Sequence, residues 1–276
     1  MNRVDLVLIH TGNRFYSYIN DCISLINRHD IRLHVILSNS LHSYITPKNI
    51  ILESAEKYED EKYRSYKNPQ LNPLFRDGFF NRTASRFFIL ANYAKQKKLK
   101  SFFHIENDIA LFSNLISEQK ILYTTGSNIA IVMDSPNRGV ASIMWMKDHK
   151  IVEEFADYIY NHNSYTDMQN LAYFFKARSD VVNLPIIHND KYNNEIQYNN
   201  LFHKFNSVFD GAALGQYLFG IDPMNCNNQD TKGFINETNI FNSSIYNFTW
   251  KNKQPYIDGV KIANLHMHCK NLQQLL

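Results

Sequence analysis

Between residues 102 and 112 the chain reads FFHIENDIALF, two apolar runs with Glu106, Asn107 and Asp108 between them. Flanks of this kind belong in the interior of a sheet, where an unsatisfied polar group costs about 2–7 kcal/mol. The three polar residues must therefore be hydrogen-bonded, ion-paired or bound to a cation. In an extended strand alternate side chains share a face, so His104, Glu106 and Asp108 are expected on one side and Phe103, Ile105 and Asn107 on the other. The two carboxylates would then sit roughly 6.5–7 Å apart at their Cα atoms, close enough to share a divalent ion. The plain alternative is a strand-ending turn in which Asn107 and Asp108 satisfy local amides.

The rest of the chain supplies the sheet that this strand needs. VDLVLI (4–9) is a buried-strand run that empties into His10-Thr11-Gly12-Asn13, and RLHVILSN (32–39) repeats the pattern after a helix at 15–28. Residues 53–72 are charged and Tyr-rich without an apolar stripe, and are expected as a solvated helix or loop. NRTASRFFILANYAKQKKLK (81–100) has helical apolar spacing, with its lysines at the end where a helix dipole favours cations. SNIAIVMD and VASIMWMKD predict a hairpin through residues 135–139, followed by a helix at 151–162. Thr166 and Gln169 have capping-box spacing ahead of NLAYFF. VVNLPII is a further strand, residues 188–206 are polar, FDGAALGQYLFGIDP opens a helix, and the chain is irregular until KIANLHMHCK. Strands alternating with helices predict an α/β fold, expected as one domain over 1–276.

Composition excludes several classes. With 276 residues, 44% hydrophobic and 20% charged, and only 9 Gly and 7 Pro, the chain has enough apolar content for an ordered core. A net charge of +3 is too small to favour nucleic acid as a partner. Three widely spaced cysteines fit a reducing compartment and offer no zinc spacing. VDLVLIH lacks the apolar length of a signal peptide, and no 18-residue apolar run occurs, so a cytoplasmic protein without a transmembrane segment is expected.

Taken together, HIENDIALF, the preceding SRFFILANYAKQKKLKSFF, FDGAALGQYLFGIDP and the closing NLHMHCK resemble a bacterial and viral group of nucleotide-sugar-dependent glycosyltransferases with the GT-A fold. The resemblance spans most of the chain and is weakest at residues 50–75 and 225–255. It implies a GT-A-like, mixed and mostly parallel sheet flanked by helices, with a nucleotide-binding half at about 1–125 and an acceptor-binding half at about 126–276. In that family a DxD motif ends a central strand and holds Mn²⁺ or Mg²⁺ against the donor diphosphate. By similarity Asp108 is the metal ligand, and Glu106 takes the first position in an ExD variant. Hard oxygen ligands suit either ion.

The resemblance implies further roles. A C-terminal histidine commonly completes the metal site, and NLHMHCK offers His266 and His268, with His268 preferred because the diphosphate-binding lysine, here Lys270, follows closely. Asp210, ahead of Gly211-Ala212-Ala213, is the candidate base for an inverting reaction, its plainer role being a helix N-cap. His10, Thr11, Gly12, Asn13 and Asn107 would line the nucleotide, and Arg86 would reach the diphosphate. Trp145 and Trp250 are candidates for sugar stacking. The implied activity is transfer of a sugar from a nucleoside-diphosphate donor to a hydroxyl of a glycan, lipid-linked or protein-linked acceptor. The alternatives are a nucleotidyltransferase, which would more naturally carry a Gly-rich loop after the first strand where only Gly12 stands, and a non-catalytic sugar- or nucleotide-binding module.

Overall fold

The computed structural model describes residues 3–188, 198, 200–226, 231–233 and 246–276. The elements begin β1 (Val4–His10), α1 (Tyr18–Ile26), β2 (Ile31–Leu37), β3 (Ile51–Ser54), α2 (Glu61–Ser65), α3 (Phe79–Gln96), β4 (Lys100–Ile105), β5 (Ile109–Leu111) and α4 (Leu115–Tyr123). They continue with β6 (Ile129–Ser135), β7 (Arg138–Asp148), α5 (His149–Asn161), α6 (Asp167–Lys176), β8 (Val181–Asn183), α7 (Phe202–Phe205), β9 (Ser207–Val208), α8 (Leu214–Phe219) and α9 (Pro223–Cys226). β10 (Phe248–Lys251), β11 (Gln254–Ile257), β12 (Val260–Ile262) and β13 (Asn264–His266) close the chain.

Seven strands form the main sheet in the order β3-β2-β1-β4-β7-β6-β8. Only β7 runs against the rest, antiparallel to both β4 and β6. This is the mixed, mostly parallel, helix-flanked sheet that the sequence predicts. Chain order reverses between β1 and β4: β2 and β3 build outward on one side of β1, and β4 returns on the other. A crevice at the carboxyl ends of β1 and β4 follows from that reversal, and in open α/β sheets such crevices take the ligand.

The strands are apolar on both faces because both are covered. Phe103 and Ile105 of β4 join α1 and the β5–β13 ribbon on one side. Phe102 points to the other side, into the cluster with α3, α5 and α6. His104 lies on that second side too, fully buried against Phe87 with Nδ1 bonded to the Val7 carbonyl. Burial pushes the His104 imidazole down to about 3, so it is a neutral core residue. Trp145 is likewise core, its indole N–H donating to the Ser101 hydroxyl at 3.0 Å, which removes it from any sugar-stacking role.

Several expectations hold in detail. The 135–139 hairpin joins β6 to β7, and the Thr166 capping box is formed in both directions. Others are corrected. FFHIENDIALF is not one strand: β4 ends at Ile105, the chain turns through Asn107 and Asp108, and β5 leaves the main sheet to pair with β13. The edge strand β3 takes in the first two residues, 53 and 54, of the segment 53–72 that was expected as solvated. The end is not irregular: β10–β12 join β9 in a four-stranded sheet. Of the polar stretch at 188–206, residues 189–197 and 199 lie outside the described residues, and 202–205 form α7. Among the described residues no helix is long and apolar enough to cross a membrane.

One buried acid in α4 makes stability depend on pH. Glu118 is 5% exposed, its Oε2 has no hydrogen-bond partner, and burial pushes its carboxyl up to about 8 from an ordinary 4.5. Between those values the folded chain binds more protons than the unfolded one, so stability is full below 4.5 and falls as pH rises through 8. Urea unfolding at pH 5 and pH 8.5 should show wild type losing on the order of 2–4 kcal/mol that Glu118→Gln does not lose.

Candidate metal centre

The acids lie at the carboxyl ends of β1 and β4, where the strand order reverses. Glu106 and Asp108 leave the end of β4, and His266 ends β13. β5 and β13 are antiparallel with His266 opposite Ile109, and the Met267 amide donates to the Asp108 carbonyl at 2.8 Å. That register brings the His266 ring to the two carboxylates: Nε2 lies 3.4 Å from Glu106 Oε2 and 3.2 Å from Asp108 Oδ1. One donor atom from each of the three lies within 4.8 Å of the others, a group that fits a divalent cation. Two carboxylates and one imidazole suit Mn²⁺ or Mg²⁺. The other ring nitrogen, Nδ1, donates to the Gly211 carbonyl at 2.6 Å, which aims Nε2 at the acids.

Cations balance the site. Arg86 of α3 bridges Glu106 Oε1 at 2.6 Å and Asp167 Oδ2 at 3.0 Å, while Thr83 donates to the other Asp167 oxygen at 3.2 Å. Lys270 pairs with Asp108 Oδ2 and lies over the Tyr18 ring. Burial alone would raise both site carboxyls. Arg86 and His266 nevertheless hold Glu106 low, and His266 and Lys270 hold Asp108 well below the usual carboxylate range. Burial opposes the His266 imidazolium, yet Asp108 and Glu106 raise it to about 9.

The residues expected at this site divide into those that converge and those that serve it from behind. Glu106, Asp108, His266 and Lys270 meet. His268, the preferred ligand from sequence, is not in the three-donor group: past β13 the chain turns, and its ring stacks on His266 with centroids 4.0 Å apart. Asn107 donates to His10 Nδ1 at 3.0 Å, because His10 Nε2 must itself donate to the Arg14 carbonyl at 2.9 Å. The loop after β1 is thereby tied to the acid turn. Thr11 bonds the Arg82 carbonyl, Asn13 is exposed, and a Cβ on Gly12 would meet the His10 ring at 3.0 Å. Arg86, expected on the diphosphate, has its guanidinium occupied by two acids, which makes it a holder of Glu106. Trp250 lies apart, edge-on to Phe112 and Phe219.

Asp210 is 1% exposed. Its Oδ1 accepts from the Ala213 and Leu214 amides, and its Oδ2 from Gly215 and His266, all at 2.8–2.9 Å. The Asn264 side chain pairs with the Asp210 backbone in both directions. The carboxylate therefore pins α8 against β13 next to His266. Asp167, Tyr18 and Asn264 escaped the sequence reading. Asp167 was visible only as part of a cap, and Asn264 only as the residue one alternation before His266.

No known protein-family model matches the sequence. No curated protein matches it either. Among solved structures it is similar to mouse xyloside xylosyltransferase 1, at 12% identity and TM-score 0.44 over 73% of this chain and 93% of that one. It is also similar to the glycosyltransferase GlyE of Streptococcus pneumoniae, at 10% and 0.40 over 67% of this chain and 45% of that one. A cytidylyltransferase from Leptospira borgpetersenii is similar at 9% and 0.37, over 71% and 78%. All three scores lie below 0.5, a likeness too distant to transfer function.

The packing of α8 on β13 is testable. A Cβ built on Gly215 would lie 2.1 Å from the His266 carbonyl oxygen, whereas one on Gly211 meets only side chains, Val132 at 3.1 Å and Val140 at 3.5 Å. Gly215→Ala should cost about 3 kcal/mol or more in urea unfolding and weaken Mn²⁺ binding, while Gly211→Ala costs under about 1.5 kcal/mol.

Proposed function

We propose that this chain is a metal-dependent glycosyltransferase that moves a sugar from a nucleoside-diphosphate donor to a hydroxyl of a glycan or related acceptor. The observation that carries this reading is the convergence of Glu106, Asp108 and His266 in the crevice where the strand order reverses. Asp108 and His266 would be direct Mn²⁺ or Mg²⁺ ligands, with Glu106 offering the one oxygen that Arg86 leaves open. Bound there, the ion would neutralise charge developing on the leaving diphosphate.

The remaining roles belong to the chain's own groups. Lys270, already on Asp108, stands where its ammonium can exchange that carboxylate for a phosphate oxygen. His10, Thr11, Gly12 and Asn13 form the nucleotide side of the crevice, with Asn107 linking that loop to the acids. Residues 1–125 would serve mainly the donor and 126–276 the acceptor. The four amide bonds on Asp210 support a positioning role over that of the base. The lone Gly12 after β1 disfavours the nucleotidyltransferase reading. The buried free Cys22 accords with a cytoplasmic setting.

A thermal-shift screen of UDP, GDP, CDP and dTDP, each with Mn²⁺ and with EDTA, tests this. One diphosphate at saturating concentration should raise the melting temperature by about 5 °C or more in Mn²⁺ and not in EDTA. Asp108→Ala should abolish that shift. Stabilisation by none of them, with wild type folded, would contradict the donor reading.

A further inference from the structure

Arg82 and Arg86 stand four residues apart on α3, so they share a face and are separated by about 6 Å along the axis. Their circumstances differ. Arg86 is buried and engaged by Glu106 and Asp167. Arg82 is half-buried, and among the described residues its guanidinium has neither an acidic partner nor a hydrogen-bond acceptor; its hydrogen bonds are made by the backbone, with Thr11 and Ser85 donating to its carbonyl and its amide donating to Gly78. Its Nη1 lies 3.8 Å from where a Cβ on Gly12 would stand, and the His10 ring lies 3.0 Å from that point. Gly12 thus lets the His10 ring and the Arg82 guanidinium pack close against the loop at the carboxyl end of β1. A half-buried cation without a counter-charge attracts an anion.

We propose that Arg82, rather than Arg86, is the second phosphate contact of the donor site, holding the phosphate on the nucleoside side while the metal centre holds the one on the sugar side. This rests on the donor reading given above. The division follows from spacing: Arg86 marks the level of Glu106 on α3, and Arg82 lies one turn away, beside the loop that faces the nucleoside. The planar fork of Arg82 would bind two phosphate oxygens at once, which a lysine in its place does less well. Because no protein group depends on this guanidinium, its removal should leave the fold and the metal centre intact.

The experiment is calorimetric titration, in Mn²⁺, of UDP, GDP, CDP and dTDP with their monophosphates and nucleosides, into wild type, Arg82→Gln, Arg82→Lys and Asp108→Ala. For the base that wild type prefers, Arg82→Gln should weaken diphosphate and monophosphate at least 10-fold and the nucleoside less than 2-fold, with an unchanged melting temperature. Arg82→Lys should recover part of the loss. Asp108→Ala should penalise the diphosphate more than the monophosphate. Equal weakening of nucleoside and nucleotides by Arg82→Gln, or no weakening of either, overturns the Arg82 assignment while the donor reading stands. Failure of wild type to bind any diphosphate overturns the donor reading and the assignment with it.

Discussion

Three residue pairs join β5 to β13, and the site depends on their register. Asn264 faces Leu111, Leu265 faces Ala110 and His266 faces Ile109, with Met267 adding its amide to the Asp108 carbonyl. A slip of one residue would turn every side chain of β13 to the opposite face. His266 would leave the acids and an apolar neighbour would take its place. Asp210 fixes the register from behind by accepting the His266 amide together with three amides around the start of α8. Gly215 permits this, since no larger residue fits against the His266 carbonyl. The His266 imidazole is thereby held against acids more than 150 positions earlier.

Charge is the second constraint. Buried ions are tolerated only when paired and hydrogen-bonded, and here Asp167, Arg86, Glu106, His266, Asp108 and Lys270 form one continuous alternation of sign. Arg86 takes Glu106 Oε1 and leaves Oε2 toward His266, so the glutamate arm is anchored rather than free. Lys270 and the protonated His266 neutralise the two acids.

Local pattern made much of this legible. β1, the β6–β7 hairpin, α3 and the Thr166 cap are written in apolar periodicity and cap chemistry, and FFHIENDIALF marked the acids because polar groups stood out between apolar runs. What escaped depends on tertiary pairing. Two-residue alternation puts His266 and His268 on one face only while the chain stays extended, and β13 ends at His266. Arg82 and Arg86 have the same helical phase, and only the positions of Glu106 and Asp167 decide which guanidinium is consumed. The edge strand β3 is too short and too polar to announce itself, and Trp145 gives no sign in sequence that it is sealed behind Ser101.

The most direct test is pulsed electron paramagnetic resonance of one equivalent of Mn²⁺ bound to wild type, His266→Gln and His268→Gln. Directly coordinated imidazole nitrogen should modulate the wild-type echo, persist in His268→Gln and vanish in His266→Gln. Modulation that survives His266→Gln, or a wild type that binds no Mn²⁺ at all, would contradict a centre built from Glu106, Asp108 and His266.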